Sequence, residues 1–117
     1  MTSEELARRF LAALSACDRV AVGELVHPDV EIRTERTVHR GRDEAIAWAG
    51  KEFDHLIRRY KPIGFEETDS GILVHAELQY VWRESLKVGD TSRVRIDLGV
   101  RDGLISSWHL EDEPDTH

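Results

Sequence analysis

Residues that could transfer protons alternate with apolar residues along two segments of this sequence. His75 and Glu77 have the same parity in the first segment, and Arg95 and Asp97 have the same parity in the second. Together with His109, they would supply an acid, a base and an oxyanion-stabilising cation if they faced an enclosed cavity. Facing outward, the same residues would form a polar sheet surface that pairs across strands.

The apolar residues of these segments decide between the two arrangements. Successive side chains of a strand point to opposite faces, so a strand's apolar set should face the core. That set runs from Val74 to Trp82 in the first segment and from Val94 to Val100 in the second. His75 and Asp97 are therefore expected on the outer face and are weak catalytic candidates. Tyr80 is expected inside, as the cavity's proton donor.

Helical and strand periodicity gives the order of the elements that position these residues. Thr2 with Glu5 resembles a capping box before an apolar helix, and Asp18 can cap a second helix that ends near His27, since Pro28 disfavours helical geometry in the residue before it. A strand then follows from Asp29, and a long helix is predicted from Asp43 to Lys61. Four more strands are predicted at 63–68, 72–82, 92–101 and 104–110, the last two joined by an Asp102-Gly103 turn.

This order predicts an α+β fold, a cone-shaped curved antiparallel sheet packed on three N-terminal helices. Ile105 and Trp108 differ in parity, so both face inward only if the last strand contains a bulge near Ser106 or Ser107. The predicted wall of the cone suits a flat apolar ligand. Its residues are Phe10, Leu14, Ile32, Thr34, Trp48, Phe53, Tyr80, Trp82 and Trp108.

Composition limits the function classes. The chain has 117 residues, so one domain is expected at 1–112, with an acidic tail at 113–117. Its formal net charge is −7, so nucleic-acid binding is not expected. No apolar run approaches the ~20 residues that cross a bilayer, so no membrane association is expected and the localisation is predicted as cytoplasmic. The six histidines show no metal-ligand spacing, so neither a metal nor another cofactor is predicted.

Short motifs recur along the chain in a characteristic order. They are Phe10–Leu14, Asp18, Leu25, His27–Ile32, Gly41–Ile46 and Arg101–Ile105. In order and spacing they resemble SnoaL-like proteins of the nuclear transport factor 2-like superfamily. The resemblance covers nearly the whole chain and implies a cystatin-like α+β roll, a pocket between sheet and helices, and a homodimer.

The sequence departs from the catalytic residues of two enzyme groups in that superfamily. Alignment with ketosteroid isomerases places Phe10 where they carry a tyrosine and Thr34 where they carry an aspartate base. Phenylalanine has no proton to donate, and a threonine hydroxyl needs an activating partner to act as a base. Their acidic residue corresponds to Asp97 or, by parity, to Ile96. The His-Trp pair of the polyketide cyclases is inverted here, as Trp108-His109.

Two function hypotheses follow. In the first, the chain is a pocket protein that binds a small apolar or aromatic metabolite, either as a binder or as an enzyme of cofactor-free isomerisation, cyclisation or dehydration. In the second, aromatic residues fill the cone completely and the chain is a non-catalytic dimeric interaction module.

Overall fold

The computed structural model describes residues 2–34, 36–50 and 56–113. Within these residues, three helices pack on one face of a six-stranded sheet, which confirms the predicted α+β class. The helices are α1 (Ser3–Ser15), α2 (Arg19–Leu25) and α3 (Arg42–Ala49). The strands are β1 (Val26–Arg33), β2 (Val38–Arg40), β3 (Leu56–Glu67), β4 (Gly71–Trp82), β5 (Val88–Arg101) and β6 (Leu104–Asp112).

The sheet is curved, open and mixed, with the strand order β2-β1-β6-β5-β4-β3. β1 runs parallel to β6, whereas the other neighbouring pairs are antiparallel, so the sheet is not antiparallel throughout. β2, which was not predicted, pairs with β1 and adds a short edge strand. In the part of the chain that the structure describes, no helix is long and apolar enough to cross a membrane.

Two predicted side-chain caps begin the first two helices. The Thr2 hydroxyl accepts a hydrogen bond from the Glu5 amide at 3.1 Å, and the Asp18 carboxylate accepts one from the Ala21 amide at 3.1 Å. α1 then buries its apolar stripe against β3, β4 and β6. These caps satisfy amides that have no partner inside the helix.

The predicted long helix is wrong beyond Ala49. α3 ends there, with Gly50 as its cap, and Ile57 and Tyr60 belong to β3 instead. β3 pairs with β4, and the Tyr60 amide donates to the Ser15 hydroxyl of α1 at 2.9 Å while the Tyr60 side chain stays buried. Pro62 is tolerated because β3 is an edge strand whose register shifts between Pro62 and Gly64. β1 also begins earlier than expected, at Val26, and includes Pro28.

The predicted bulge in β6 is confirmed. Gly99 pairs with Ser107, whereas the next residue of β5, Val100, pairs with Ile105 and leaves Ser106 as the extra residue. Because of this extra residue, Ile105 and Trp108 are both buried, at 0% and 1% exposure. The Asp102-Gly103 turn that precedes β6 is also confirmed, with positive φ at both residues.

Trp108 lies at the centre of the core and joins the helical layer to the sheet. Its indole makes edge-to-face contacts with Phe10 of α1, Trp48 of α3 and Tyr60 of β3, at centroid distances of 5.7, 5.3 and 5.6 Å. Phe10 itself is completely buried. Phe10 and Trp108 therefore fill the deep part of the cone.

Candidate functional site

A cavity of about 1130 Å³ lies on the helix-covered face of the sheet. Side chains from α2, α3, the β1–β2 loop and strands β2, β3, β4 and β6 line it. Small-molecule pockets usually enclose about 300–1,000 Å³, so this space can hold a ligand of several fused rings. The lining residues are Arg19, Thr34, Arg36, Thr37, His39, Glu44, Ala47, Trp48, Gly50, Arg58, Tyr60, Leu78, Tyr80, Trp108 and Leu110.

Four aromatic residues form one part of this lining. Trp48 and Tyr60 both contact Trp108, and Tyr80 lies one inward position along β4 from Leu78, the cross-strand partner of Tyr60. Arg58 is the direct cross-strand partner of Tyr80, and its guanidinium lies 6.0 Å from the centre of the Trp48 ring. The aromatic wall thus includes two hydroxyl groups and an inward-facing cation.

The environment of Tyr60 keeps its hydroxyl protonated. Burial raises the pKa of Tyr60 above its ordinary value, while the nearby Arg58 charge acts in the opposite direction. Tyr80 and Cys17 add smaller increases. A tyrosine with a raised pKa remains a hydrogen-bond donor across the physiological pH range.

The rest of the lining is polar and predominantly cationic, unlike the apolar wall predicted from the sequence. Among the lining residues that the structure describes, Arg19, Arg36 and Arg58 face the cavity together with one carboxylate, Glu44. Arg19 donates to the Gly50 carbonyl at 3.1 Å, and Glu44 accepts from the Arg40 amide at 3.0 Å. Within residues 2–34, 36–50 and 56–113, neither Arg19 nor Arg36 forms an ion pair with a carboxylate.

A hydrogen-bonded row of side chains lies at the β1–β2 end of the cavity. The hydroxyl oxygens of Thr34 and Thr37 are 2.8 Å apart, and the Thr37 oxygen is 3.0 Å from Nε2 of His39. His39 pairs with Ile32 of β1, which is fully buried and pairs in turn with Trp108. Since cross-strand partners share a face, this pairing directs His39 toward the cavity.

The structure brings together four of the predicted pocket residues and separates the others. Thr34, Trp48, Tyr80 and Trp108 line the cavity, whereas Phe10 and Leu14 are buried in the core without lining it. Phe53 lies outside the described residues.

Trp82 is placed differently from its prediction as a pocket residue. It is the last residue of β4, it is 48% exposed, and its indole packs over Gly89. The register of β4 and β5 shifts between Tyr80 and Val81, and Val81 is the buried residue at this end of the strand. The inward alternation of β4 therefore stops at Tyr80.

The two weaker catalytic candidates, His75 and Asp97, lie on the outer face of the sheet, as the apolar alternation predicts. His75 bonds to Glu66 at 3.1 Å and to Glu113, and these two hydrogen bonds raise the pKa of the imidazole. Asp97 is exposed, whereas its neighbours Ile96 and Leu98 are completely buried. Neither His75 nor Asp97 lines the cavity, and of the three candidates only Tyr80 does.

Sequence reasoning missed Tyr60 and Arg58, and it gave no site role to Thr37 or His39. Tyr60 was assigned to the long helix. The shared strand parity of Arg58 and Tyr60, which pair with Tyr80 and Leu78, was therefore not considered. A strand starting before Pro62 would have put both residues on the inward face. For His39, the signal is its spacing. It lies in the short edge strand β2, two residues after Thr37, so the two side chains have the same parity.

Comparisons with solved structures show the same fold in proteins of low sequence identity. A proposed polyketide cyclase from Sinorhizobium meliloti is 18% identical, has a TM-score of 0.77, and covers 95% of this chain and 100% of its own. A hypothetical protein with a ketosteroid isomerase-like fold from Catenulispora acidiphila, solved with trimethylamine, is 14% identical with a TM-score of 0.79, at 95% and 86% coverage.

An epoxide hydrolase of M. tuberculosis described as LEH-like is 15% identical with a TM-score of 0.80, and covers 95% of this chain and 82% of its own. No protein-family model and no curated protein matches this sequence. At these identities, the neighbours establish the fold alone. That fold is the one shared by ketosteroid isomerase-like, polyketide cyclase-like and nuclear transport factor 2-like proteins.

Proposed function

We propose that this chain binds a small molecule with an apolar or aromatic body in the cavity and catalyses a cofactor-free proton transfer on it. The supporting observation is the aromatic wall, where Tyr60 and Tyr80 place two hydroxyl donors beside the Arg58 guanidinium. Isomerisation, cyclisation and dehydration are reactions of this class. Each needs a donor for a developing oxyanion and an acceptor for the proton that leaves.

The names of the structural neighbours support a small-molecule role. They include a proposed polyketide cyclase and an LEH-like epoxide hydrolase with the same fold. The proposal itself depends on the side chains of this cavity, since one fold hosts many activities.

The polar part of the lining favours a ligand with an acidic group. The described part of the lining contains three arginines and one glutamate, in a chain whose formal charge is −7. Guanidinium groups bind carboxylates through parallel hydrogen bonds and stack on aromatic rings. A planar ring system with a carboxylate or an ionised hydroxyl would use both parts of the lining.

A titration with 2-naphthoate, monitored by amide NMR, tests the proposed site. We expect shifts at the backbone amides of Trp48, Tyr80 and Trp108, and none at His75 and Asp97 on the outer face. The uncharged 2-naphthamide should shift the same amides at higher concentration. Shifts restricted to the outer face, or none with either compound, would contradict the proposed function.

A second candidate function is the non-catalytic dimeric module, and one observation favours it. Phe10 and Trp108 already fill the deep part of the cone, so that part offers no space to a ligand. In this alternative, the polar outer face around His75 and Asp97 would bind a second copy of the chain. Light scattering that gives twice the mass of the chain, with no naphthoate binding, would support this alternative over the first.

A further inference from the structure

The β1–β2 loop and β2 hold three cavity-lining side chains whose polar atoms are bonded in series. The series runs from the Thr34 hydroxyl to the Thr37 hydroxyl at 2.8 Å, and on to His39 Nε2 at 3.0 Å. The loop is closed by the Thr34 amide, which donates to the Thr37 carbonyl at 2.9 Å. A hydroxyl within hydrogen-bond distance of an imidazole is the arrangement by which proteins activate hydroxyl groups.

The hydrogen bonds around Thr34 determine the direction of this series. A hydroxyl oxygen has two acceptor lone pairs. Those of Thr34 accept from the amides of Thr37 and Arg36, at 3.0 and 3.4 Å. The Thr34 hydrogen has two acceptors within reach, the Thr37 hydroxyl oxygen at 2.8 Å and the Thr37 carbonyl oxygen at 3.2 Å. Because both lone pairs of Thr34 already accept from amides, the hydrogen in the 2.8 Å contact is that of Thr34, and it is donated to the Thr37 hydroxyl oxygen. The hydrogen of Thr37 is left to point at His39.

Two properties follow from that direction. Nε2 of His39 accepts a hydrogen bond, so the neutral ring carries its proton on Nδ1. The Thr37 oxygen accepts one hydrogen bond and donates one, so it keeps one lone pair that no hydrogen bond in the series uses. The Thr34 oxygen has no such lone pair.

We propose that Thr37 and His39 form the proton-accepting pair of the cavity, with Thr34 as a positioning residue. In the proposed step, a ligand proton moves to the free lone pair of the Thr37 oxygen, while the Thr37 proton moves to His39 Nε2. The electron pair of the broken bond stays on the ligand, and the imidazole becomes a cation. The Thr34 hydroxyl stabilises the charge that develops on the Thr37 oxygen.

This inference rests on the proposed function and narrows the class of ligand. The ligand would be an aromatic compound with an acidic C–H or O–H directed at the β1–β2 loop. The hydroxyls of Tyr60 and Tyr80, in the same cavity, would donate to the oxygen or nitrogen on which negative charge develops.

The first experiment needs no ligand and reads the tautomer of His39 directly. Nitrogen NMR of the wild-type chain should show Nδ1 protonated and Nε2 unprotonated in neutral His39. In Thr37→Val, which lacks the donor, the Nε2 resonance should move toward that of a solvent-exposed imidazole. Protonated Nε2 in the neutral wild-type ring would overturn the proposal, because His39 would then donate to Thr37 and could not accept its proton.

The second experiment measures proton abstraction with 5-nitrobenzisoxazole, a planar aromatic probe. Removal of its ring C–H proton breaks the adjacent N–O bond and releases a coloured cyano-nitrophenolate, with no other reactant. A positioned general base contributes about 100-fold or more, so we expect His39→Gln to lower the rate about 100-fold. Thr37→Val should lower it about tenfold, and Thr37→Ser should retain most of it.

His109→Gln is the matched control, because His109 lies outside the cavity lining and next to Glu111. It should leave the elimination rate unchanged. Binding of the probe is measured separately, by quenching of tryptophan fluorescence. A probe that binds but reacts equally fast in His39→Gln would overturn this inference alone, whereas a probe that does not bind would contradict the proposed function as well.

Discussion

Arg36 provides the most direct test of the charge in the cavity. It lines the polar part of the wall, and no described carboxylate pairs with it. We expect Arg36→Gln to weaken 2-naphthoate binding about threefold, because an exposed charge contact contributes about 0.5–1 kcal/mol. Binding of uncharged 2-naphthamide should not change, and calorimetry would measure both affinities.

Arg101→Gln is the control for Arg36, since Arg101 lies outside the cavity lining and contacts His27 and Asp29. It should leave both affinities unchanged. Equal weakening of 2-naphthoate and 2-naphthamide by Arg36→Gln would show that the arginine contributes packing rather than charge.

For single residues, the sequence predicted whether a side chain faces the core or the solvent more reliably than it predicted which residues that side chain contacts. Alternation correctly placed Tyr80 inside and Asp97 outside. It could not show that the register of β4 and β5 shifts before Trp82. A bulge exchanges the inward and outward positions that follow it, and the alternation along the bulged strand does not show where this happens. The Thr34–Thr37–His39 series depends on the geometry of a turn, which periodicity does not describe.

Among the elements, β6 depends on its bulge more than on any one side chain. Ser106 is the extra residue that allows Ile105 and Trp108 to be buried together. Deletion of Ser106 should restore a regular strand and expose one of the two, at a cost of about 3 kcal/mol or more in the free energy of unfolding. Urea denaturation of the variant and the wild type would measure the difference.

Ser106→Ala is the matched control for the deletion, because it keeps the extra residue and removes only a hydroxyl. Its free energy of unfolding should stay within about 1 kcal/mol of the wild type. Similar losses for the substitution and the deletion would show that the side chain, and not the bulge, is what β6 requires.

β3 shows why element type was harder to predict than the bulge. Its residues from Leu56 to Tyr60 continue the apolar spacing of α3, so a single long helix satisfied the periodicity. What decides their structure is pairing with β4, more than ten residues further along the chain. Such long-range pairing overrides local propensity and leaves no local pattern in the sequence.

On the outer face, His75 joins Glu66 of β3 to Glu113, whose amide donates to the Arg93 carbonyl of β5. These carboxylates raise the pKa of His75 in the folded chain. A raised folded pKa gives stability that is present below the unfolded pKa, about 6.5, and is lost as the pH rises through the folded value. The His75→Gln variant lacks this contribution.

The stability difference between wild type and His75→Gln should therefore shrink as the pH rises from about 6 to about 9. Its size should be no more than about 1 kcal/mol, because the side chains involved are partly exposed. Urea denaturation across this range measures it. In a Glu66→Gln background the difference should be smaller, and a difference that stays constant with pH would contradict the assignment.

For the whole molecule, Trp108 links the stability of the fold to the cavity. It is 1% exposed, contacts rings from α1, α3 and β3, and also lines the cavity. Trp108→Ala should lower the free energy of unfolding by about 3–5 kcal/mol. Since the free energy of unfolding of small domains is only about 5–15 kcal/mol, a loss of this size would leave the fold marginally stable. Urea denaturation measures the loss.

Trp82→Ala is the comparison, because Trp82 is 48% exposed and lies outside the cavity lining. It should cost about 1 kcal/mol or less. Trp82→Ala and the wild type together also separate the function hypotheses, because a ligand that binds only the folded chain raises the melting temperature of that chain. In a pocket protein, 2-naphthoate should raise the melting temperature of Trp82→Ala as much as that of the wild type. A cone that only packs its own aromatic residues would show no such rise in either protein, and Trp108 would then serve the fold alone.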